Sequence, residues 1–285
     1  MIKVDGREVE FKQFPNGETL MVTDSFKDIN FYPIRVEFKY ENDGDLIKLM
    51  FVKKYLDSMT DHAKQLIVYY MPYSRMDRSE NGSPFTLKYV TDFINGLGFS
   101  AVAVFEPHSN VTNALIDDVK PRYLSGIILE KALMDVEFDR FHDYIVFPDE
   151  GASKRYTHLK GFHTIIGFKK RDFNTGKIEG LQLIGDFDKN GKKAIIVDDL
   201  SSYGGTFIHT AKALREKGIE EVYLVVTHAE NNIFKENPST KMKLLDHVDK
   251  VFTTNSLVTE HTNWENKKYQ NQVIVYDAMD IVRGR

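Results

Sequence analysis

The stretch "KAIIVDDLSSYGGTF" (193–207) decides how the rest of the chain is read. It opens on an apolar run without alternation. The run is too short for a helix and rich in β-branched residues, the pattern of a strand buried on both faces. Two adjacent carboxylates, Asp198 and Asp199, close the run, and Gly204, Gly205 and Thr206 open a helix. Glycines let backbone N–H groups approach an anion, and a helix N-terminus favours negative charge there. The acid pair just upstream places acceptors at fixed spacing, which suits the paired hydroxyls of a ribose. The same string is also that of an acidic strand end followed by a helix cap, so the other loops must decide.

Similar apolar runs recur: "QLIVYY" (65–70), "SAVAVF" (100–105), "DYIVF" (143–147), "HTIIGF" (163–168) and "EVYLVV" (221–226). Between them lie helix candidates "DLIKLMFVKKYLDSM" (45–59), "SPFTLKYVTDFINGLG" (83–98) and "TFIHTAKALREKG" (206–218). In the second, Ser83 reads as the N-cap, Pro84 as the first turn, and Gly96 or Gly98 as the end. Strands alternating with helices predict an α/β protein with parallel sheets. Ligands of such sheets sit beyond the carboxyl ends of the strands. The loops there are "YMPYSRMDR", "EPHS", "PDEGASKR", "KKR" and "DDLSSYGGT", all charged or polar and all on one edge.

Composition narrows the classes. The chain has 285 residues, 42% hydrophobic and 28% charged, which is ordinary for a globular protein of about two domains. No run approaches the roughly 20 apolar residues of a membrane helix, and the N-terminus lacks the apolar core of a signal peptide. With no cysteine, disulfide and thiolate chemistry are excluded, and a cytoplasmic location is expected. A net charge of -4 offers no basic field for nucleic acid, so no nucleic-acid or membrane partner is expected. The "GLGFSA" (96–101) string follows a helix and precedes a strand, the wrong context for a dinucleotide turn, and no Walker loop occurs.

Taken together, the loops resemble those of ribose-phosphate pyrophosphokinases (phosphoribosyl diphosphate synthetases). "VDDLSSYGGT" is similar to the ribose-phosphate loop that these enzymes share with phosphoribosyltransferases. "FPNGE" (14–18) resembles their F-S-D-G-E, "YMPYSRMDR" (70–78) their Y-F-G-Y-A-R-Q-D-R, and "FEPHS" (105–109) their D-L-H-A/S. "PDEGASKR" (148–155) resembles P-D-x-G-x-x-x-R, and "KKR" (169–171) the K-x-R of the catalytic loop. Order and spacing follow the family across nearly the whole chain, and simple phosphoribosyltransferases lack the N-terminal half of the set.

The resemblance implies two similar phosphoribosyltransferase-type domains. We expect them at 1–140 and 141–285, with "NQVIVYDAMDIV" (271–282) packing back toward the first. It implies a diphosphokinase: the anomeric hydroxyl of ribose 5-phosphate attacks the β-phosphorus of ATP, and AMP leaves. Many negative charges then meet and need cations and Mg²⁺. By the same resemblance Phe14, Asn16, Glu18, Arg75, Met76 and Arg78 contact ATP. Phe14 and Glu18 are expected to reach in from a neighbouring subunit, which makes the protein at least a dimer. His108 and Asp149 match metal-associated positions, and Lys169 and Arg171, with His108, the catalytic ones. Asp198, Asp199, Ser202, Tyr203, Gly204, Gly205 and Thr206 match the ribose-phosphate site. Read by themselves, "KKR", Arg75 and Arg78 are also compatible with solvated loops, and Asp77 reads as a salt-bridge partner within its loop. Tyr69, Tyr70, Tyr73 and His228 read as structural.

Departures fall mainly in one place. The family usually has Asp where Ser202 stands and Thr where Tyr203 stands. Smaller ones are Asn16 for Asp, Met76 for Gln, Glu106 for Asp and Ala152 for Gly. Losing an acid and gaining an aromatic at the 5′-phosphate end raises a second acceptor, ADP-ribose. Its diphosphate carries less terminal charge, and its adenine can stack on Tyr203. The product would be ADP-ribose 1-diphosphate, suited to rebuilding NAD from nicotinamide. A non-catalytic regulatory relative is the reading of a different class; the retained Lys169, Arg171, His108 and Asp149 argue against it.

Overall fold

The computed structural model describes residues 1–28, 31–80, 82–157, 159–171, 178–187, 191–259 and 269–284, with backbone alone at 169–171 and 178–180. The chain forms two compact units, Met1–Tyr123 and Leu124–Arg285.

In the first unit a six-stranded sheet has the order β2-β1-β5-β6-β7-β8. Its strands are β1 (Ile2–Val4), β2 (Arg7–Glu8), β5 (Ile34–Phe38), β6 (Lys64–Val68), β7 (Ala101–Phe105) and β8 (Val119–Arg122). From β5 to β8 the pairing is parallel, while β1 pairs antiparallel with both β5 and β2. A separate hairpin joins β3 (Glu10–Gln13) to β4 (Thr19–Val22). The central strands bury Val36, Phe38, Leu66, Val68, Val102 and Val104. Helix α1 (Gly44–Met59) adds Leu49, Val52 and Leu56, spaced three and four apart so that one face meets the core. Helix α2 (Thr86–Gly96) starts later than the sequence suggests. Its N-cap is Phe85, without a side-chain cap; Ser83 lies two residues earlier, in a tight turn where its N–H donates to Glu80 O at 2.9 Å. Its end is as expected, with Gly98 at φ +71° turning the chain away from the helix. A short α3 (Asn110–Leu115) follows β7.

In the second unit a seven-stranded sheet has the order β11-β10-β9-β12-β13-β14-β15. Its strands are β9 (Tyr144–Phe147), β10 (His163–Arg171), β11 (Ile178–Ile184), β12 (Lys193–Ser201), β13 (Glu221–Ala229), β14 (Lys250–Thr254) and β15 (Val273–Tyr276). All neighbours are parallel except β10 and β11, which form an antiparallel arm. The sheet core includes Tyr144, Val146, Ile196, Leu224 and Val226, and α6 (Gly205–Glu216) packs Phe207, Ile208, Ala211 and Leu214 into it. Each such side chain contributes about 1.5–3 kcal/mol on burial. Short helices α5 (Glu150–Arg155) and α7 (Ala278–Arg283) complete the unit with α4 (Ser125–Asp135).

The fold is therefore α/β, as expected, with two units each built on a largely parallel sheet. Each of the six apolar runs becomes a strand. The division between the units falls at 123/124 rather than near 140. Helix α4 explains the difference: it packs on β12, β13 and β14, and its Asp135 pairs with Lys250 at 2.5 Å. The polar stretch after it resembles a linker but is a loop inside the second unit. Residues 273–276 form β15, which extends the second unit's sheet beside β14. The arm strand β11, the strands β14 and β15, and the first-unit strands other than β6 and β7 lie outside the apolar runs. Several of them expose one face to solvent and so lack a continuous apolar signal.

Candidate active site

The carboxyl ends of β9, β10, β12 and β13 are neighbours in one parallel sheet, so their following loops meet at one edge. Strand β12 carries Asp198 and Asp199 near its end, and the chain then turns through Ser202 and Tyr203 into α6. Gly204 makes that turn. It sits at the N-cap with φ +72°, and a Cβ there would lie 2.8 Å from the Leu244 side chain. Backbone that tight against a neighbour needs glycine on both counts. Beyond it the opening N–H groups of the twelve-residue α6 have no partner within the helix, the usual basis of an anion site.

The acid pair is held from the side by Arg155. One guanidinium nitrogen donates to Asp198 Oδ1 at 3.1 Å and to Asp199 Oδ1 at 2.5 Å. All three side chains are largely removed from water, with 18% of Arg155, 16% of Asp198 and 5% of Asp199 exposed. Burial, then the negative charge of Asp199, pushes the Asp198 carboxyl well above its ordinary value. Burial works against the charge of Arg155, but Asp199, Tyr156 and Asp198 outweigh it and hold the guanidinium protonated beyond its ordinary range. The result is a rigid pair of acceptors next to an anion-binding helix end.

The rest of the loop differs from a ring of donors. Ser202 Oγ donates to Glu230 Oε2 at 2.5 Å, and Asn232 Nδ2 donates to the same oxygen at 3.1 Å. Glu230 follows β13 directly and is tied to the loop by its own N–H, which donates to Ser201 O at 2.8 Å. Tyr203 is half-buried in the turn. Sequence reasoning did not single out Arg155, Glu230 or Asn232. Arg155 closes the "PDEGASKR" pattern, and Glu230 is the charged residue after a buried strand, so both signals were present.

Asp149 lies after β9 and caps α5, its Oδ1 accepting from Ala152 N at 3.0 Å. Lys169 and Arg171 are on β10, paired in register with Leu181 and Ile178 of β11. They stand on an antiparallel arm rather than an open loop, and their side chains lie outside the described residues. Among the described residues no group of three or more His, Asp or Glu side chains gathers as a metal cage would. His228 is structural, its Nδ1 2.8 Å from Ser256 Oγ in the core.

In the first unit, the hairpin between β3 and β4 brings Phe14, Asn16 and Glu18 together. Phe14 N donates to Glu18 O at 2.8 Å, and Asn16 Nδ2 donates to Glu18 Oε2 at 2.7 Å. Phe14 is 51% exposed at the tip. The loop after β6 carries Arg75, Met76 and Arg78 outward, and Asp77 pairs with Arg78 at 3.3 Å as expected. Tyr73, at φ +62°, donates to Asp43, which also accepts from Tyr40 at 2.6 Å, so the loop is pinned beneath its arginines. Tyr69 is buried and donates to Glu37 at 2.8 Å, and Tyr70 accepts from Ser74 Oγ at 3.2 Å, so these tyrosines are packing groups. His108, half-buried, follows the neighbouring strand β7 at the same sheet edge.

The family model for a phosphoribosyl transferase domain matches residues 163–270, which include the acid pair and the turn into α6. Fold and site together define a protein of the phosphoribosyltransferase type. Relatives align across both units. A ribose-phosphate pyrophosphokinase from Pyrococcus abyssi is 28% identical over 259 residues, 88% of this chain and 85% of the relative. One from Mycoplasmopsis pulmonis is 30% identical over 220 residues, 74% of this chain and 63% of the relative. Over most of its length the chain is thus similar to ribose-phosphate pyrophosphokinases. A phosphoribosylpyrophosphate synthetase structure from Mycobacterium smegmatis shares the fold, with a TM-score of 0.74 at 20% identity over 98% of this chain and 88% of that one. No helix among the described residues is long and apolar enough to cross a membrane.

Proposed function

We propose that the chain is a diphosphotransferase acting on ATP and a ribose 5-phosphate compound. The anomeric oxygen of the acceptor forms a bond to the β-phosphorus. The bond from that phosphorus to the α-phosphate oxygen breaks, AMP departs, and the hydroxyl proton is released. The observation that carries this reading is the Arg155-held pair Asp198 and Asp199 beside the N-terminus of α6. Paired acceptors for the ribose hydroxyls and N–H donors for its phosphate there lie within one turn of chain. Lys169 and Arg171 are the cations we assign to the transferring phosphoryls. The exposed Phe14, Asn16 and Glu18 and the outward Arg75, Met76 and Arg78 are assigned to ATP.

Mg²⁺ suits the donors present: it binds through one or two carboxylates plus substrate phosphates, and Asp149 supplies one such carboxylate at the sheet edge. It would neutralise charge on the diphosphoryl group. His108 is the other residue assigned to the metal-associated part of the site. The exposed hairpin tip at Phe14 is proposed to reach a neighbouring subunit, which makes a dimer the smallest active form. The absence of cysteine suits a cytoplasmic setting.

Ribose 5-phosphate is the acceptor in the primary reading. The turn at Ser202 and Tyr203 favours a second, ADP-ribose, yielding ADP-ribose 1-diphosphate for NAD synthesis from nicotinamide. Release of AMP from ATP, Mg²⁺ and each acceptor in turn tests both. AMP appearing only with an acceptor present supports the reaction. Silence with every ribose phosphate tried would move the chain to the non-catalytic, regulatory class.

A further inference from the structure

We propose that Asp43, acting through the hydroxyls of Tyr40 and Tyr73, is the positioning residue that holds the loop 70–78 in its ATP-binding form. The inference rests on the assignment of Arg75, Met76 and Arg78 to ATP.

Asp43 stands at the N-cap of α1, where an aspartate side chain ordinarily accepts from the first N–H groups of the helix. It makes no such bond here. Its neighbours satisfy the backbone instead. Asn42 Oδ1 accepts from Gly44 N at 3.0 Å, and Asp45 Oδ2 accepts from Glu41 N and Asn42 N at 2.9 and 3.1 Å. One oxygen of Asp43 accepts from two phenols, Tyr40 Oη at 2.6 Å and Tyr73 Oη. Those hydroxyls, Tyr40 first and then Tyr73, hold its carboxyl below the ordinary value, so the acceptor is charged at neutral pH. Bonds to a charged acceptor are the stronger kind. Both rings pack against the buried core of the first unit, with centroids 6.4 Å apart. Three segments are thereby joined: the chain after β5 at Tyr40, the start of α1 at Asp43, and the loop after β6 at Tyr73. Strands β5 and β6 are parallel neighbours, so all three lie at the same edge of the sheet.

Tyr73 is the point at which the loop needs holding. Its φ of +62° is a region that a bulky side chain keeps only when its surroundings enforce it. Tyr73 O accepts from Met76 N at 2.9 Å, closing the turn that carries Arg75 and Met76, and Met76 O accepts from Leu87 N at 3.2 Å. Relaxation of Tyr73 to negative φ would open that turn and redirect the exposed Arg75, Met76 and Arg78 together. The bond to Asp43 opposes this. A ligand that needs the held form binds with an apparent affinity scaled by the population of that form. Asp43 therefore acts on ATP through Tyr73 and needs no contact with it.

The test is the affinity for ATP with Mg²⁺, measured by calorimetry without acceptor. It is read in the parent, Tyr73→Phe, Asp43→Ala, their combination, Asp43→Asn and Arg78→Met, with AMP release giving kcat and both KM values. Phenylalanine keeps the ring on the core and removes only the donor. Tyr73→Phe should weaken ATP by about three- to tenfold, the shift one hydrogen bond produces in an equilibrium. Asp43→Ala should cost at least as much, and the combination little more, because the same contact is removed twice. Asp43→Asn keeps an acceptor oxygen and should recover part of the loss. In each, the KM for ATP rises while kcat and the KM for acceptor stay near the parent's, a split that general loosening of the fold does not produce. Should Asp43→Ala fail to fold, Tyr73→Phe decides alone. ATP affinity within about twofold of the parent in Tyr73→Phe overturns the proposal, as does a loss shared equally by ATP and acceptor. If Arg78→Met weakens ATP but Tyr73→Phe does not, the loop binds ATP and only the role of Asp43 falls. If the parent binds no ATP, or Arg78→Met binds it as the parent does, the ATP assignment falls and the proposal with it.

Discussion

Replacing Arg155 by methionine tests what holds the acid pair together. The side chain keeps much of its length but loses the guanidinium that spans Asp198 at 3.1 Å and Asp199 at 2.5 Å. Both carboxylates are then left together with 16% and 5% of their side chains exposed and no shared cation. Removing one partner of a buried pair costs about 3–5 kcal/mol, because the remaining charge is neither paired nor solvated. For a unit of this size that corresponds to a fall of about 6–20 °C in melting temperature. Urea unfolding followed by circular dichroism gives the loss directly. Its sign against pH is set by the carboxylates. The deficit is full where the unfolded chain's carboxylates are ionised, and shrinks as acid protonates them in the folded and unfolded states alike. Adding Asp199→Asn to the same chain should recover more than half of the loss, since one of the unpaired charges is gone. A loss below about 1 kcal/mol, or one that is the same at acid and neutral pH, would refute the reasoning. The deficit would then come from packing, such as the loss of the Arg155 contact with the Tyr156 ring at 5.9 Å.

Asp198→Asn tests the strain in the pair from the other side. The carboxyl is raised by burial and by Asp199, so its stabilising effect is full below the ordinary carboxylate range and is lost as pH rises through its raised value. The asparagine variant should therefore match the parent in acid and melt higher at neutral pH, while binding acceptor less well; a variant that melts lower at neutral pH counts against this. Gly204→Ala must place a Cβ at φ +72° and 2.8 Å from Leu244, and should cost about 1–3 kcal/mol with loss of acceptor affinity in calorimetry. Undiminished acceptor binding would mean that the turn does not form the phosphate site. Lys169→Ala should lower kcat by about 10²–10³-fold with little change in the KM for ATP, because its charge acts mainly as the phosphoryl group moves. Turnover within a few-fold of the parent would remove Lys169 from that role.

Much of this protein is legible one segment at a time. Buried parallel strands are continuous apolar runs, and all six such runs are strands, because a strand covered on both faces needs no partner to reveal its pattern. The turn at Gly204 is equally local: a left-handed residue before a helix calls for glycine, and the string says so. The sequence alone therefore determined the α/β class, the edge where the loops gather and the acid pair with its helix end. It did not determine where strands expose one face, as in β11, because alternation there is short and weak. Nor did it place α4, whose apolar face fits any sheet until one is packed against it. Above all, Arg155 is 43 residues from Asp198, and Ser202 is 28 from Glu230. Such pairs meet only because β9, β12 and β13 lie parallel and in register, a relation between distant segments that no local pattern encodes. Tertiary structure decided which charges are shared and which hydroxyls are already spoken for, since hydrogen bonds and desolvation depend on distances that exist only once the sheet has formed.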